Sequence, residues 1–107
     1  MSREYISLDN PRDHSLMNRK RFLQITKVLV DSRRFDILER IASAKDEISC
    51  LGLKAELPIS RATLSHLIKE LATAGLIDIR RKSKSMFLRI RRETWREYVK
   101  RLSRIAR

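Results

Sequence analysis

The sequence predicts a mainly α-helical domain carrying one two-stranded β-hairpin. Apolar residues recur at helical spacing through most of the chain, and Ser or Asp stands at the head of several of these stretches. After Gly75 the apolar period falls from about 3.6 to 2, the change from helix to strand. With 107 residues, 42% of them hydrophobic, the chain can build one core but not two of ordinary size.

The first dozen residues, with Asp9, Asn10 and Pro11, read as a flexible arm (1–12), and 13–107 as a single domain. From His14 to Val30, Leu16, Phe22, Leu23, Ile25, Val28 and Leu29 recur at helical spacing and predict a first helix. Asp31 or Ser32 caps a second, in which Phe35, Leu38 and Ile41 share a face that Ile37 widens. It fades through Ala42-Ser43-Ala44-Lys45. Ser49 caps a short third helix from Cys50 to Leu57, ended by Pro58, which lacks the next helical N–H. Ser60 caps a fourth with Leu64, Leu67, Ile68 and Leu71 on its apolar side, and Gly75 suits the left-handed backbone of a C-terminal cap. Leu76, Ile77 and Ile79 predict one strand; Met86, Leu88 and Ile90, alternating with Phe87, Arg89 and Arg91, predict the other. Between them lies Arg80-Arg81-Lys82-Ser83-Lys84-Ser85. Without Asn-Gly or Asp-Gly, a loop of several residues is expected there. A fifth helix runs from Thr94 to Ile105, with Trp95, Tyr98, Val99, Leu102 and Ile105 along one face.

Charge is polarised along this chain. The total of 25 Lys and Arg against 13 Asp and Glu gives +12, divided as +3 over residues 1–30, zero over 31–75 and +9 over 76–107. A merely solubilising surface needs no such division, whereas a polyanion partner is drawn to it through counterion release. An acidic protein or membrane headgroups would be drawn to the same patch, and composition leaves these open. One Cys and two separated His argue against a disulfide framework and an all-protein zinc site. No apolar run approaches the ~18 residues of a membrane span, and the first residues show no secretory pattern. A cytoplasmic protein, nucleoid-associated when bound to DNA, is expected. There is no Ser-His-carboxylate grouping and no phosphate loop, so neither an enzyme nor a cofactor is expected.

Helix, turn, capped helix and basic hairpin together make a winged helix-turn-helix. A helix starting at Ser60 fits the DNA major groove and presents Arg61, Ala62, Thr63, Ser65, His66 and Lys69 away from its apolar side. Arg61 can pair with guanine, Ala62 and the Thr63 methyl can meet thymine, and Lys69 lies where the phosphate backbone passes. Taken singly, Ser65 and His66 are also what any solvated helix shows. In the wing, Arg80, Arg81, Lys82 and Lys84 concentrate like charge in a hairpin beside the same duplex. Leu16 and Leu23 in the first helix, with Trp95, Tyr98, Val99, Leu102 and Ile105 in the last, offer apolar faces too long for so small a globule. Segments 13–30 and 93–106 are therefore expected to form a two-fold dimer.

Residues Asp31 to Leu38 and Leu57 to Ile77, above all Thr63-Leu64-Ser65-His66 and Ala74-Gly75-Leu76-Ile77, resemble the ArsR-type (ArsR/SmtB) family of bacterial winged-helix repressors. The similarity continues through Arg80-Arg81 into the final helix and covers about four fifths of the chain. It implies a homodimer held by the first and last helices, a palindromic operator in double-stranded DNA, and repression relieved by a small-molecule effector of unknown identity. It also implies that Ser65 and His66 lie in the recognition helix and Arg80 to Ser85 in the wing. The chain departs from the metal-sensing members. Ser49 and Leu51 stand where they place a Cys pair, with Cys50 between, and the final helix has no His. Leu67 replaces a second His after His66, and Ser83 replaces a Gly at the hairpin tip. No metal site is therefore expected. Cys50 reads as a small packed hydrophobe, or else as a redox-sensitive thiol. The reading that follows is a homodimeric, sequence-specific repressor. Its rival is an architectural nucleic-acid-binding or protein-interaction module, and discrimination between operator and random duplex separates the two.

Overall fold

A computed structural model describes Tyr5 and residues 17–106; His14, Leu16 and the rest of the expected arm lie outside the described residues. Side-chain caps at Asp31, Ser49 and Ser60 start three helices where the sequence places them, whereas the helix expected from His14 begins after Asn18. Asn18 accepts the Arg21 amide at 2.8 Å and opens α1 (Arg19–Leu29). Asp31 accepts the Arg33 amide at 2.8 Å and opens α2 (Ser32–Ser43). The Arg33 side chain bonds the same carboxylate and, with that amide, holds the Asp31 carboxyl down at about 2. Ser49 accepts the Gly52 amide at 3.0 Å to open α3 (Cys50–Glu56), and Ser60 accepts the Thr63 amide at 3.1 Å to open α4 (Arg61–Thr73).

The end of α4 is as well defined as its start. Gly75, at φ 80°, donates to Ala72 O at 3.0 Å, and Leu76 donates to Leu71 O at 3.1 Å. These two bonds are the pattern in which a left-handed residue closes a helix and satisfies its last carbonyls. The chain leaves this cap directly into β2 (Ile77–Lys82), returns through β3 (Ser85–Ile90), and ends in α5 (Arg92–Ser103) with a 3-10 turn over Arg104–Ala106.

The core gathers one stripe from each element: Ile25 of α1, Ile37, Leu38 and Ile41 of α2, Leu53 of α3, and Leu64, Leu67, Ile68, Leu71 and Ala72 of α4. Leu76, Ile77, Leu88 and Tyr98 close it. Phe35, expected on the inner face of α2, is 44% exposed. Ile37, Leu38 and Ile41 centre the apolar stripe instead, and Phe35 falls at its edge.

Three expectations need correction. Ile48–Ser49 (β1) pairs with Leu88 and Phe87 of β3, so the described residues form a three-stranded sheet in the order β1-β3-β2. Two residues are too few to show a period. Next, the hairpin connection is tight. Lys82 pairs with Ser85, leaving Ser83 and Lys84 as the turn, and Arg80 to Lys82 belong to the strand. Finally, the apolar face of α5 is split. Tyr98 is buried, its ring stacked 4.9 Å from Phe22 and its hydroxyl 2.8 Å from Thr26 Oγ1, and Trp95 packs half-buried against the core. Val99, Leu102 and Ile105 stay exposed, as does Leu23 of α1.

Ser83 has φ 56° at the first turn position. Two-residue hairpins favour glycine where φ is positive, since a Cβ there crowds the backbone. Ser83→Gly should therefore stabilise the domain by about 0.5–1 kcal/mol, after allowing for glycine's greater chain entropy. Urea unfolding would show this as a higher midpoint at unchanged slope, and an unchanged or lower midpoint would contradict it.

Candidate nucleic-acid interface

The inner face of α4 is fully used by the core, so its outer face alone can meet a partner. Arg61, Ala62, Ser65, His66 and Lys69 are all exposed there. Arg61, Ser65 and Lys69 follow one another at four-residue intervals, with Ala62 and His66 alongside. Ser60 and Thr63 differ from these, since their hydroxyls are 2.9 Å apart and bond each other within the helix cap. His66 Nε2 lies 3.4 Å from Glu70 Oε1, and the other oxygen of Glu70 accepts Arg34 Nη1 at 2.8 Å. Arg34 also donates to Val28 O at 2.8 Å, so one guanidinium ties α4 to α2 and to the end of α1.

In the wing the four expected basic residues separate. Arg81, Lys82 and Lys84 are exposed. Arg80 is held in the fold, donating Nε to Glu47 Oε2 at 3.2 Å and Nη2 to Glu47 Oε1, with its guanidinium 4.5 Å from the Phe87 ring centre. The Tyr5 hydroxyl donates to the same Glu47 carboxylate. Arg89 lies 3.6 Å from the Tyr5 ring centre and 3.5 Å from Asp78, while Arg91 reaches Asp78 at 2.7 and 3.0 Å. Asp78 is the buried acid of the wing base, 7% exposed.

Glu47, Asp78, Glu70 and Tyr5 are therefore the residues that sequence reasoning missed. One signal was present. Strand parity puts Asp78 and Arg80 on one face of β2 and Arg81 on the other, so Arg80 and Arg81 were never equivalent.

Cys50 stands half-buried at the start of α3. Burial pushes its thiol up, outweighing Arg61 and Arg81, which both pull it down. The thiol is thus not a preformed nucleophile. Arg61, the first residue of α4, and Arg81 of the wing are both near enough to act on this one thiol. Among the described residues no three His, Cys, Asp or Glu side chains gather as a metal-binding group, and no helix is long and apolar enough to cross a membrane.

The division within the wing can be measured. Arg80→Ala should destabilise the fold by about 1–3 kcal/mol, the cost of leaving the largely buried Glu47 carboxylate short of a donor. Arg81→Ala should leave stability within about 0.5 kcal/mol. Equal unfolding midpoints for the two variants would show that Arg80 is not a structural residue.

No family model matches the chain. It is 30% identical over 76 residues to the HTH-type transcriptional regulator YceK of Bacillus subtilis, covering 71% of this chain and 76% of that protein. It is 33% identical over 60 residues to ArsR2 of Halobacterium salinarum, a protein named as an arsenical resistance operon repressor; the match covers 56% of this chain and half the length of that relative. An ArsR-like transcriptional regulator from Rhodococcus sp. RHA1 superposes with a TM-score of 0.72 at 22% identity, covering 81% of this chain and 80% of that one, a likeness of fold. The chain belongs to the HTH-type transcriptional regulators, and its winged helix-turn-helix fold is that of the ArsR-like ones.

Proposed function

We propose that the chain acts as a homodimeric repressor that occupies a palindromic operator in double-stranded DNA and blocks transcription there. The observation that carries this reading is the exposed row Arg61, Ala62, Ser65, His66 and Lys69 on α4, together with the exposed Arg81, Lys82 and Lys84 of the wing. In the reading, Arg61 pairs with guanine O6 and N7, and Ala62, Ser65 and His66 follow it along the groove. Lys69 and the wing residues Arg81, Lys82 and Lys84 meet phosphates, which position the protein without specifying sequence. Ser60 and Thr63 hold the start of the helix. Arg80 supports the wing from behind.

The dimer is supported by the apolar surface that the monomer leaves open. Leu23, Val99, Leu102 and Ile105 are 47, 54, 46 and 75% exposed on α1, α5 and the turn after it. A two-fold partner would cover these faces and set two recognition helices about 34–36 Å apart, one turn of duplex.

Two measurements test the reading. Light scattering should return twice the chain mass at micromolar concentration, and Leu102→Glu should return the chain mass; a parent monomer that binds operator tightly would contradict the dimer. Titrations of operator and scrambled duplex at several salt concentrations test the division of labour. Arg61→Ala should lose about 1–3 kcal/mol of discrimination. The double variant Arg81→Ala with Lys82→Ala should weaken binding to both duplexes and lower the salt slope by about 2. Loss of selectivity in the wing variant at an unchanged slope would mean that the wing reads sequence or shape.

A further inference from the structure

A groove of about 370 Å³ opens between α2 and α5, and none of the residues lining it belongs to α4. Phe35, Leu38 and Ala42 form one wall, and Trp95 with Ile90, the last residue of β3, forms the other. Arg92 and Arg96, one turn apart on α5, stand at the rim with Glu39 of α2. Its size and apolar lining suit a small organic molecule.

The rim states which kind. Arg92 and Arg96 form no ion pair or hydrogen bond with any described residue, unlike Arg80, Arg89 and Arg91 just before them. Against them the rim offers the single carboxylate of Glu39, so one positive charge is left over. The same end of α5 begins without a side-chain cap, because its N-cap residue is Arg91, whose guanidinium can only donate and bonds Asp78. Uncapped N–H groups add to the positive field at that end. Trp95, in the wall, keeps its indole N–H buried without an acceptor among the described residues.

We infer that the α2–α5 groove is a binding site for a small amphipathic carboxylate, its apolar body against Phe35, Leu38 and Trp95 and its carboxylate on Arg92 and Arg96. The lining residues belong to α2, which holds α4 through Arg34 and Glu70, to the root of the wing, and to α5, which carries the exposed apolar surface. A ligand wedged among them bears on both DNA-binding elements. Binding itself stands on the groove alone, and its effect on DNA affinity rests on the regulator reading.

Trp95 is the only tryptophan in the chain, so its emission reports the groove directly. The full chain would be titrated, without DNA, with phenylacetate and octanoate, with their amides as neutral isosteres and acetate as an anion lacking the apolar body. The expected result is a saturable change in emission with at least one of the two carboxylates. The matching amide should bind at least tenfold more weakly, and acetate should give no saturable response. Arg92→Gln with Arg96→Gln should weaken carboxylate binding at least tenfold while circular dichroism stays unchanged. The inference is overturned by no saturable response, by equal affinity for acid and amide, or by unchanged affinity in the double variant. A response lost as the chain is concentrated through dimerisation would also overturn it, since a second copy would then fill the groove. With operator duplex, the bound carboxylate should change the affinity of the parent at least threefold and leave the double variant unmoved. Emission that saturates while operator affinity stays constant would overturn the regulatory part alone. Failure to bind any duplex selectively would fall on the repressor reading and leave the groove standing.

Discussion

The buried side of α4 is the constraint from which the remaining arrangement follows. Leu64, Leu67, Ile68 and Leu71 are each 0 or 1% exposed. Burying each is worth roughly 1.5–3 kcal/mol, so together they match the whole net stability of a domain of this size, about 5–15 kcal/mol. Rotating α4 by one residue would bring part of this stripe into water and cannot be tolerated. The outward positions are therefore fixed by the inward ones. Arg61, Ala62, Ser65, His66 and Lys69 face outward because no other angle of the helix is compatible with the core. Ser60 and Gly75 fix the two ends of the same helix, so its length is as constrained as its rotation.

The basic residues after Gly75 divide by the same logic of sides. Read along the chain, the +9 of residues 76–107 looks like one patch, but the strand period separates it. Asp78 and Arg80 lie on the face of the sheet that meets Glu47 and Tyr5, and Arg81 lies on the other. Arg91 and Arg89 are drawn to Asp78, whose buried charge would cost several kcal/mol if its partners were removed. Arg101 bonds Met17 O at 2.9 Å and sits 5.3 Å from the Phe22 ring centre, so it too serves the fold. Part of the electrostatic asymmetry is thus spent within the protein. The charges that remain for a nucleic acid are fewer and better placed than a count suggests.

What was legible in the sequence was whatever depends on near neighbours. Asp31, Ser49 and Ser60 cap helices through amides two or three residues away, and Gly75 closes α4 through carbonyls of the preceding turn, so each carries its own signal. What was not legible depends on distant partners. Glu47 meets Arg80 across 33 residues and Tyr5 across 42, and Arg34 meets Glu70 across 36. The strand at Ile48–Ser49 exists only because β3 lies beside it. The α5 face failed for a different reason. Periodicity shows that Trp95, Tyr98, Val99 and Leu102 lie near one another, but it cannot say where the edge of the globule cuts that face. Phe22 and Thr26 decide this by taking Tyr98 inward.

That cut gives α5 two attachments. Inward, Tyr98 and Arg101 lock it to α1 through Phe22, Thr26 and Met17; outward, Val99 and Leu102 are left for a partner surface. The side chains that hold α5 to the monomer and those available to a dimer are thus interleaved on one short helix. They cannot move independently, because a rigid helix transmits displacement along its whole length. In a dimer built on this ridge, the distance between the two α4 helices would depend on the seating of α5 against α1 and α2. The Arg34–Glu70 bridge would carry that seating to the last turn of α4, since α2 and α4 share both the bridge and the core beneath it. A displacement at α5 of even a fraction of an ångström would then appear as a change in spacing on the duplex, where regular groove geometry makes spacing the quantity to which a two-fold binder is most sensitive.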